Sequence, residues 1–366
     1  MIPATSAASR IKGSVRIVGA GLLGTSIGLA LVKKGVTVFV DDVSPANQKL
    51  AIDYGAGVKA SPLDEPSLII VCVPPDVTAS TVAAELKAHP TAVVTDVASV
   101  KAEILEQLSL FGSSLNNYVG SHPMAGRERG GAIAGRADLF VGRPWVVSPH
   151  SDSSKHAVQS VEDLAIELGA FPTVFSAEDH DRAVAMVSHL PQLVSSLLAS
   201  QLNHAVANDL SLAGQGLRDT TRIAASDPKL WIQILEANAP SLSALLRNFL
   251  AEANQVLVAL EEPAAPGALA AIGNVLEQGN RGVNRVPGKH GSNPTQYSQL
   301  VVMIDDKPGE LARLLTEIGL IGVNLEDLKL EHSPGALIGL VEVFVMPEME
   351  IKLSQDLVAR GWRIAG

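Results

Sequence analysis

The stretch Val15 to Asp42 limits what this chain can fold into more than any other. A short β-branched run, Val15 to Val18, opens into Gly19-Ala-Gly21-Leu22-Leu23-Gly24, and Thr25 to Lys34 follows with helical apolar spacing before a turn at Gly35. A second strand, Val36 to Val40, ends in Asp41 and Asp42. A glycine triplet alone says little. With a strand before it, a helix after it and an acidic pair about 20 residues on, it is the unit that holds a dinucleotide. Gly19 makes the tight turn, Gly21 with Leu22 and Leu23 brings backbone amides to a pyrophosphate, and Gly24 allows close helix packing. Either aspartate can meet a ribose diol, and the following Val-Ser-Pro45 favours Asp42. A carboxylate there accepts from the diol and repels a 2′-phosphate, so NAD is the expected cofactor rather than NADP.

Strand and helix go on alternating. Leu68 to Val73 is fully apolar and ends in Pro74-Pro75, and Ala92 to Val97 ends near Ser99. Such runs belong to parallel strands buried on both faces. Their carboxyl ends, Val73-Pro74 and Asp96 to Ser99, then share an edge with the glycine turn, where open parallel sheets bind ligands. The segment YVGSHPMAGRERGG, Tyr118 to Gly131, leaves another strand at that edge and carries one histidine, His122. A lone loop histidine is more often structural than catalytic. Here Arg127, Glu128 and Arg129 crowd charge into one loop, and Gly120, Gly126, Gly130 and Gly131 let backbone approach a ligand, so a binding surface is expected. Pro144 to Ser148, a helix over Val158 to Leu168 and Thr173 to Phe175 complete a dinucleotide-binding domain over 14–175, after a disordered start over 1–13.

Helices dominate from 176 to 278. Ser176 to Asp179 fits a capping box, and His180 to Asn208 is apolar on nearly every face with a kink expected at Pro191. Lys229 to Asn238 and Ser241 to Leu260 also carry wide apolar faces, so this domain is expected to pack against a second copy, giving a homodimer. Between Asn208 and Lys229, Gly214 to Arg222 reads as a loop bearing two arginines and Asp219, with Trp231 beyond. A glycine-rich linker spans 279–296, and a βαββαβ series over 297–366 predicts a ferredoxin-like sandwich.

Composition narrows the partners. Of 366 residues, 47% are hydrophobic, yet no apolar run nears the roughly 20 residues of a membrane span. A net charge of −10 disfavours nucleic acid and anionic membranes, which leaves small molecules drawn in by local arginines. The lone Cys72 excludes an internal disulfide and a multi-cysteine metal site, and with no apolar leader at the start a cytoplasmic location is expected.

From about Val15 onward the chain resembles the prephenate and arogenate dehydrogenases of tyrosine biosynthesis that carry a C-terminal ACT domain. The residues behind the likeness are GAGLLGTSIGLAL, Asp96 to Lys101, SHPMAG with Glu128, SHLPQ over Ser188 to Gln192, LRDTTRIAASDPKLW over Leu217 to Trp231, and DKPGELARLLTEIGLIGVNLEDL in the tail. The resemblance implies an NAD-dependent oxidative decarboxylation of prephenate to 4-hydroxyphenylpyruvate, without a metal. His122 would take the ring hydroxyl proton with Ser99 assisting, and Arg222 would hold a carboxylate. His189, Glu128, Asp219 and Trp231 would complete the pocket. Arogenate is the alternative substrate, and a non-catalytic sensor of dinucleotide and amino acid is a remote one. The ACT likeness implies feedback by L-tyrosine through Asp306, Gly309 and Asn324, with the segments 306–309 and 322–324 expected to be neighbours.

Overall fold

The computed structural model describes residues 9–112, 114–126, 130–287, 297–332 and 338–365. Its elements run β1 Val15–Val18, α1 Leu22–Lys33, β2 Val38–Asp41, α2 Pro45–Asp53, β3 Val58–Lys59, β4 Leu68–Val71, α3 Pro75–Ala88, β5 Val93–Asp96, α4 Ala102–Leu110 and β6 Tyr118–Pro123. Then come β7 Pro144–Ser148, α5 Lys155–Glu167, β8 Phe171–Val174, α6 Ala177–Val184, α7 Leu190–Gln201, α8 Ala207–Leu210, α9 Gln215–Thr221, α10 Pro228–Ala237, α11 Ala239–Glu261 and α12 Ala268–Val283. Last are β9 Ser298–Asp305, α13 Glu310–Ile321, β10 Asp327–His332, β11 Ile338–Val345, α14 Glu350–Ala359 and β12 Arg363–Ala365. Two compact units emerge, one of residues up to Ala205 with Thr220–Asn248, the other of Val206–Asp219 and Phe249 onward.

The first unit is built on an eight-stranded sheet in the order β3-β2-β1-β4-β5-β6-β7-β8. The expected apolar runs are the buried strands: every residue of β4 and β5 is inside. Their side chains alternate between two cores. Leu68 and Ile70 join Ile27, Leu31 and Leu164 on one face, while Ile69 and Val71 join Val82, Ile104 and Leu108 on the other. Truncating such a residue, Ile70→Ala for instance, costs about 2–5 kcal/mol. The sheet is not wholly parallel, however, because β7 runs antiparallel to β6. A parallel return needs a long crossover. The described part of the β6–β7 connection contains only a 3₁₀ turn, Ala132–Ala134.

Register fixes which residues share the carboxyl edge. Val18 pairs with Val71, Val71 with Asp96, and Thr95 with Val119. The segments that leave β1, β4 and β5, beginning at Gly19, Cys72 and Val97, therefore start on the edge toward which β6 carries His122.

Several expectations need correcting. Residues 9–13 are not loose, since the Arg10 amide donates to Glu167 at 2.7 Å and Ile11 packs on the core. By contacts the helices up to Ala205 and over Thr220–Asn248 group with the first sheet. Helix α6 is stitched to α4 through Asp181, and Ala237 at the end of α10 packs into the core between α3 and α4. Next to Pro191, where a kink was expected, the helix takes a π-helical turn, Ala185–His189, before α7 begins at Leu190. The resulting helical run Ala177–His204 spans 28 residues with a stretch of mean hydropathy 1.3, so one segment does reach membrane-spanning length and apolarity. Its buried positions hold His180, Asp181, His189 and Gln192, whereas Met186, Val187, Leu197 and Leu198 are exposed. Exposed apolar stripes of this kind suit a protein partner. The segment expected as a loop over 214–222 is mostly helix α9, held by a bond from Gln215 to Asp219 one turn on.

In the second unit α12 runs on through Gly279 and Gly282 to Val283, because apolar Ile272, Leu276 and Val283 continue the helical spacing. Most of the remaining linker, 288–296, lies outside the described residues. The βαββαβ expectation holds: β9, α13, β10, β11, α14 and β12 form a four-stranded antiparallel sheet in the order β10-β11-β9-β12 over one core of Val302, Leu314, Ile318, Val341, Val343 and Leu353. Strand β10 begins at Asp327, three residues later than expected.

Candidate functional site

The glycine turn has the geometry its sequence calls for. Gly19 sits at φ +105°, where a Cβ would overlap the Cys72 carbonyl. A Cβ on Gly24 would overlap the Gly19 carbonyl oxygen, so the helix can approach the turn only without a side chain there. Gly21 is different, with open space where its Cβ would stand and no side-chain cap on the helix that begins at Leu22 and Leu23. A backbone helix start left uncapped and uncovered is an anion cradle. Val73 reaches to within 3.2 Å of a Cβ built on Gly19, and Pro74 caps α3 beside it.

The two aspartates part company. Asp41 is engaged by the Arg16 guanidinium at 2.6 Å, and Arg16 is held in turn by Glu85 at 3.1 Å. Asp42 turns to the glycine turn, accepting from the Ala20 amide at 2.6 Å and the Ser44 amide at 2.7 Å. Only Asp42 therefore stands against the backbone that would cradle a dinucleotide.

Along the same edge His122 is half-buried, with Val146 opposite it in β7. Its Nδ1 lies 2.9 Å from Nε2 of His180, whose Nδ1 lies 2.7 Å from Oδ1 of Asp181. The Asp181 carboxylate also accepts the Lys101 and Ala102 amides at the start of α4, each at 2.8 Å. Burial, then the neighbouring His180, Lys101 and His189, hold His122 well below the ordinary imidazole range. His189 is buried at the end of the π-helical turn, 3.1 Å from the Asn238 amide and edge-on to Trp231 at 6.1 Å. Burial lowers it to about 4, against the opposing pull of Asp181.

Beneath the edge lies a buried ion pair. Lys101 Nζ meets Asp96 Oδ1, and Asp96 Oδ2 accepts from the Tyr118 hydroxyl at 2.8 Å. Gly120 makes room for it, since a Cβ there would press on the Lys101 stem at 3.2 Å. Burial dominates Lys101, lowering its pKa despite Asp96, and raises Tyr118 well above the usual phenol.

The structure thus gathers Gly19, Gly21, Gly24, Asp42, Val73, Pro74 and His122 at one edge, with Ser99 half-buried in the loop that leaves β5. Arg222 is exposed on a 3₁₀ turn packed against α7. Asp219 belongs to the second unit, where it accepts from Gln215 at 2.7 Å. Glu128 lies outside the described residues. Within the second unit one expectation fails. Gly309, at φ +94°, precedes α13 and the segment 322–324 follows it, so the two segments sit at opposite ends of a 12-residue helix, about 18 Å long at 1.5 Å per residue. Asp306, Gly309 and Asn324 of one chain do not line one pocket, and the Asn324 amide is engaged by Glu326 at 3.0 Å.

Sequence reasoning passed over His180, Asp181, Asn238 and the Asp96–Lys101–Tyr118 cluster. A signal existed for two of them. The buried positions of α6 are Ala177, His180, Asp181 and Val184, a helical stripe half filled by polar groups, and polar groups in a buried stripe need partners.

Comparison with known proteins converges on one family. The model of the nucleotide-binding domain of prephenate dehydrogenase matches residues 27–173, and that of its dimerization domain matches 176–272. A probable prephenate dehydrogenase of Streptomyces niveus is 34% identical over 94% of this chain and 98% of its own. Among solved structures, prephenate dehydrogenase of Aquifex aeolicus, in complex with hydroxyphenyl propionate and NAD+, is 25% identical with a TM-score of 0.65, covering 75% of this chain and 99% of that one. Arogenate dehydrogenase of Synechocystis is 26% identical with a TM-score of 0.60 over 73% and 99%. With a dinucleotide cradle, a histidine on its edge, two family models that together span 27–272 and a relative 34% identical over 94% of its length, the chain belongs to the prephenate dehydrogenase family.

Proposed function

We infer that this chain is an NAD-dependent prephenate dehydrogenase, converting prephenate to 4-hydroxyphenylpyruvate and carbon dioxide. The observation that carries the reading is the shared carboxyl edge of β1, β4, β5 and β6, which supports a role for His122, an imidazole held below its ordinary range, next to the dinucleotide cradle. The cradle suits the cofactor: Gly21 leaves the helix start uncovered and Asp42 adjoins it. NAD, when bound there, supplies the acceptor for the hydride leaving the carbinol carbon. The chain's own part is to take the hydroxyl proton, which falls to His122 with Ser99 near the same edge, and to hold the dianionic substrate, which falls to Arg222. Loss of carbon dioxide then aromatises the ring, the source of the driving force.

Arogenate is the second reading, favoured by the likeness to the Synechocystis enzyme. Assays with prephenate and arogenate, each with NAD and NADP, decide between them. Prephenate with NAD should be turned over most efficiently, and binding of NAD with no turnover of either substrate would mark a sensor instead. The exposed apolar residues of α7, α11 and α12, among them Leu197, Leu250, Leu257 and Leu276, support a homodimer, testable by sedimentation. The ferredoxin-like sheet supports an ACT domain that senses L-tyrosine. Titrating tyrosine against the full chain and one ending before Tyr297 tests this: inhibition should weaken on truncation, and equal inhibition would place tyrosine in the active site.

A further inference from the structure

We propose that His180 and Asp181 are positioning residues that fix which nitrogen of His122 carries the proton, and that they receive the charge His122 acquires in the reaction. The inference rests on His122 being the base. It follows from counting donors and acceptors along one chain of contacts.

Both Asp181 oxygens accept backbone donors, Oδ1 from Lys101 and Oδ2 from Ala102, so this carboxylate acts as an acceptor at the start of α4. Nδ1 of His180, 2.7 Å from Oδ1, must then be the donor. A neutral imidazole has one donor and one acceptor, so Nε2 of His180 is left with a lone pair. That lone pair faces Nδ1 of His122 at 2.9 Å, and Nδ1 of His122 must donate to it. Nε2 of His122 is left as the acceptor. The ring is held in the one tautomer that can take a hydroxyl proton through Nε2.

The same chain disposes of the charge. When the substrate hydroxyl gives its proton to Nε2 of His122, the ring becomes an imidazolium with Nδ1–H still directed at His180. Transfer of that Nδ1 proton to Nε2 of His180 returns His122 to neutrality and places the positive charge on His180, against the Asp181 carboxylate. No proton is lost. Each transfer breaks one N–H or O–H bond and forms one N–H bond. His122 lies where a charge is costly, set back from solvent and close enough to Lys101 and His189 to feel their charge, which explains why a handover has value there.

The contacts also distinguish the variants. In Asp181→Asn either amide orientation turns an NH₂ group toward a donor, the Ala102 amide in one case and His180 with the Lys101 amide in the other. Reversal of the His180 contact would reverse both rings and leave Nε2 of His122 protonated. His180→Gln can keep a carbonyl acceptor toward His122 and an NH₂ donor toward Asp181, but it cannot carry the charge.

The tautomer is read by long-range ¹H–¹⁵N correlation on the full chain labelled in its nine histidines, with His122→Asn used to assign the His122 signals. The expected result is His122 neutral at pH 7 with the proton on Nδ1. A neutral His122 protonated on Nε2, or an imidazolium, overturns the proposal whether or not the chain turns over prephenate. Kinetics supply the second arm. Asp181→Asn should lower kcat by roughly 10²–10⁴-fold, the range for a general base wrongly presented, with little change in KM. His180→Gln should keep the Nδ1–H tautomer and lose less activity than Asp181→Asn. If both variants fold and keep wild-type kcat while His122→Asn loses it, His122 is the base and the relay is wrong.

Discussion

The two sheets of this protein treat the residues at their edges in opposite ways. In the first, Asp42, Val73, Ser99 and His122 come from four strands spread over 80 residues of sequence, and all lie at or beyond a carboxyl end, on one edge. In the second, Gly309 follows β9 but Asn324 precedes β10, so a whole helix separates them. The difference is one of position relative to a strand. Residues that follow parallel strands converge, and residues on either side of a crossover helix are held apart by its length. Chemistry is therefore expected at the first sheet, whereas Asp306, Gly309 and Asn324 of one chain cannot close on one small ligand.

The comparison breaks most visibly at His122. His122→Asn should lower kcat by about 10²–10⁴-fold with KM and NAD affinity nearly unchanged, because the lost contact serves the transition state. Near-normal turnover in that variant would make His122 a structural residue of β6. Arg222→Gln comes next. Loss of a charge-assisted bond costs roughly 1.5–3 kcal/mol, so steady-state kinetics should show KM for prephenate raised about ten-fold or more. An unchanged KM in a folded variant would move the carboxylate anchor elsewhere.

A smaller effect sharpens the edge itself. Asp42→Asn should raise KM for NAD and narrow the preference over NADP by roughly ten-fold, the lower end for a bond to a charged group. Asp41→Asn should leave the preference alone, since Asp41 is occupied by Arg16. The reverse outcome would mean that the ribose meets the other aspartate.

The smallest effect concerns pH. His189 is lowered from 6.5 to about 4 in the folded chain, so between those values the unfolded chain binds a proton that the native one does not. Stability is then full above about pH 6.5 and falls as pH drops toward 4. Thermal melts should show Tm decreasing over that window, and His189→Gln, if it still accepts Asn238, should flatten the slope by a few degrees.

Much of the first sheet could be read from sequence because its strands are buried on both faces and its turn demands glycine. Leu68 to Val71 had to be strand, and Gly19, at a φ where a Cβ would strike Cys72, had to be glycine. The choice between Asp41 and Asp42 was less legible. It depended on Arg16, one strand away, which no local pattern announces. The polar stripe of His180 and Asp181 was visible but its purpose was not, because the sequence between Ser176 and Val184 also satisfies the rules of an ordinary capped helix. Their partners, His122 and the amides of Lys101 and Ala102, lie about 60–80 residues back, and only tertiary packing brings them together. In the tail, the loop before α13 and the segment after it were each recognisable, but joining them in one site ignored the helix between them.

The most direct test of the claim that the first sheet holds the catalytic apparatus is turnover of prephenate with NAD by a chain ending at residue 296. NADH should form with kcat retained and NAD affinity unchanged. A folded, NAD-binding chain of that length that no longer oxidises prephenate would contradict the claim.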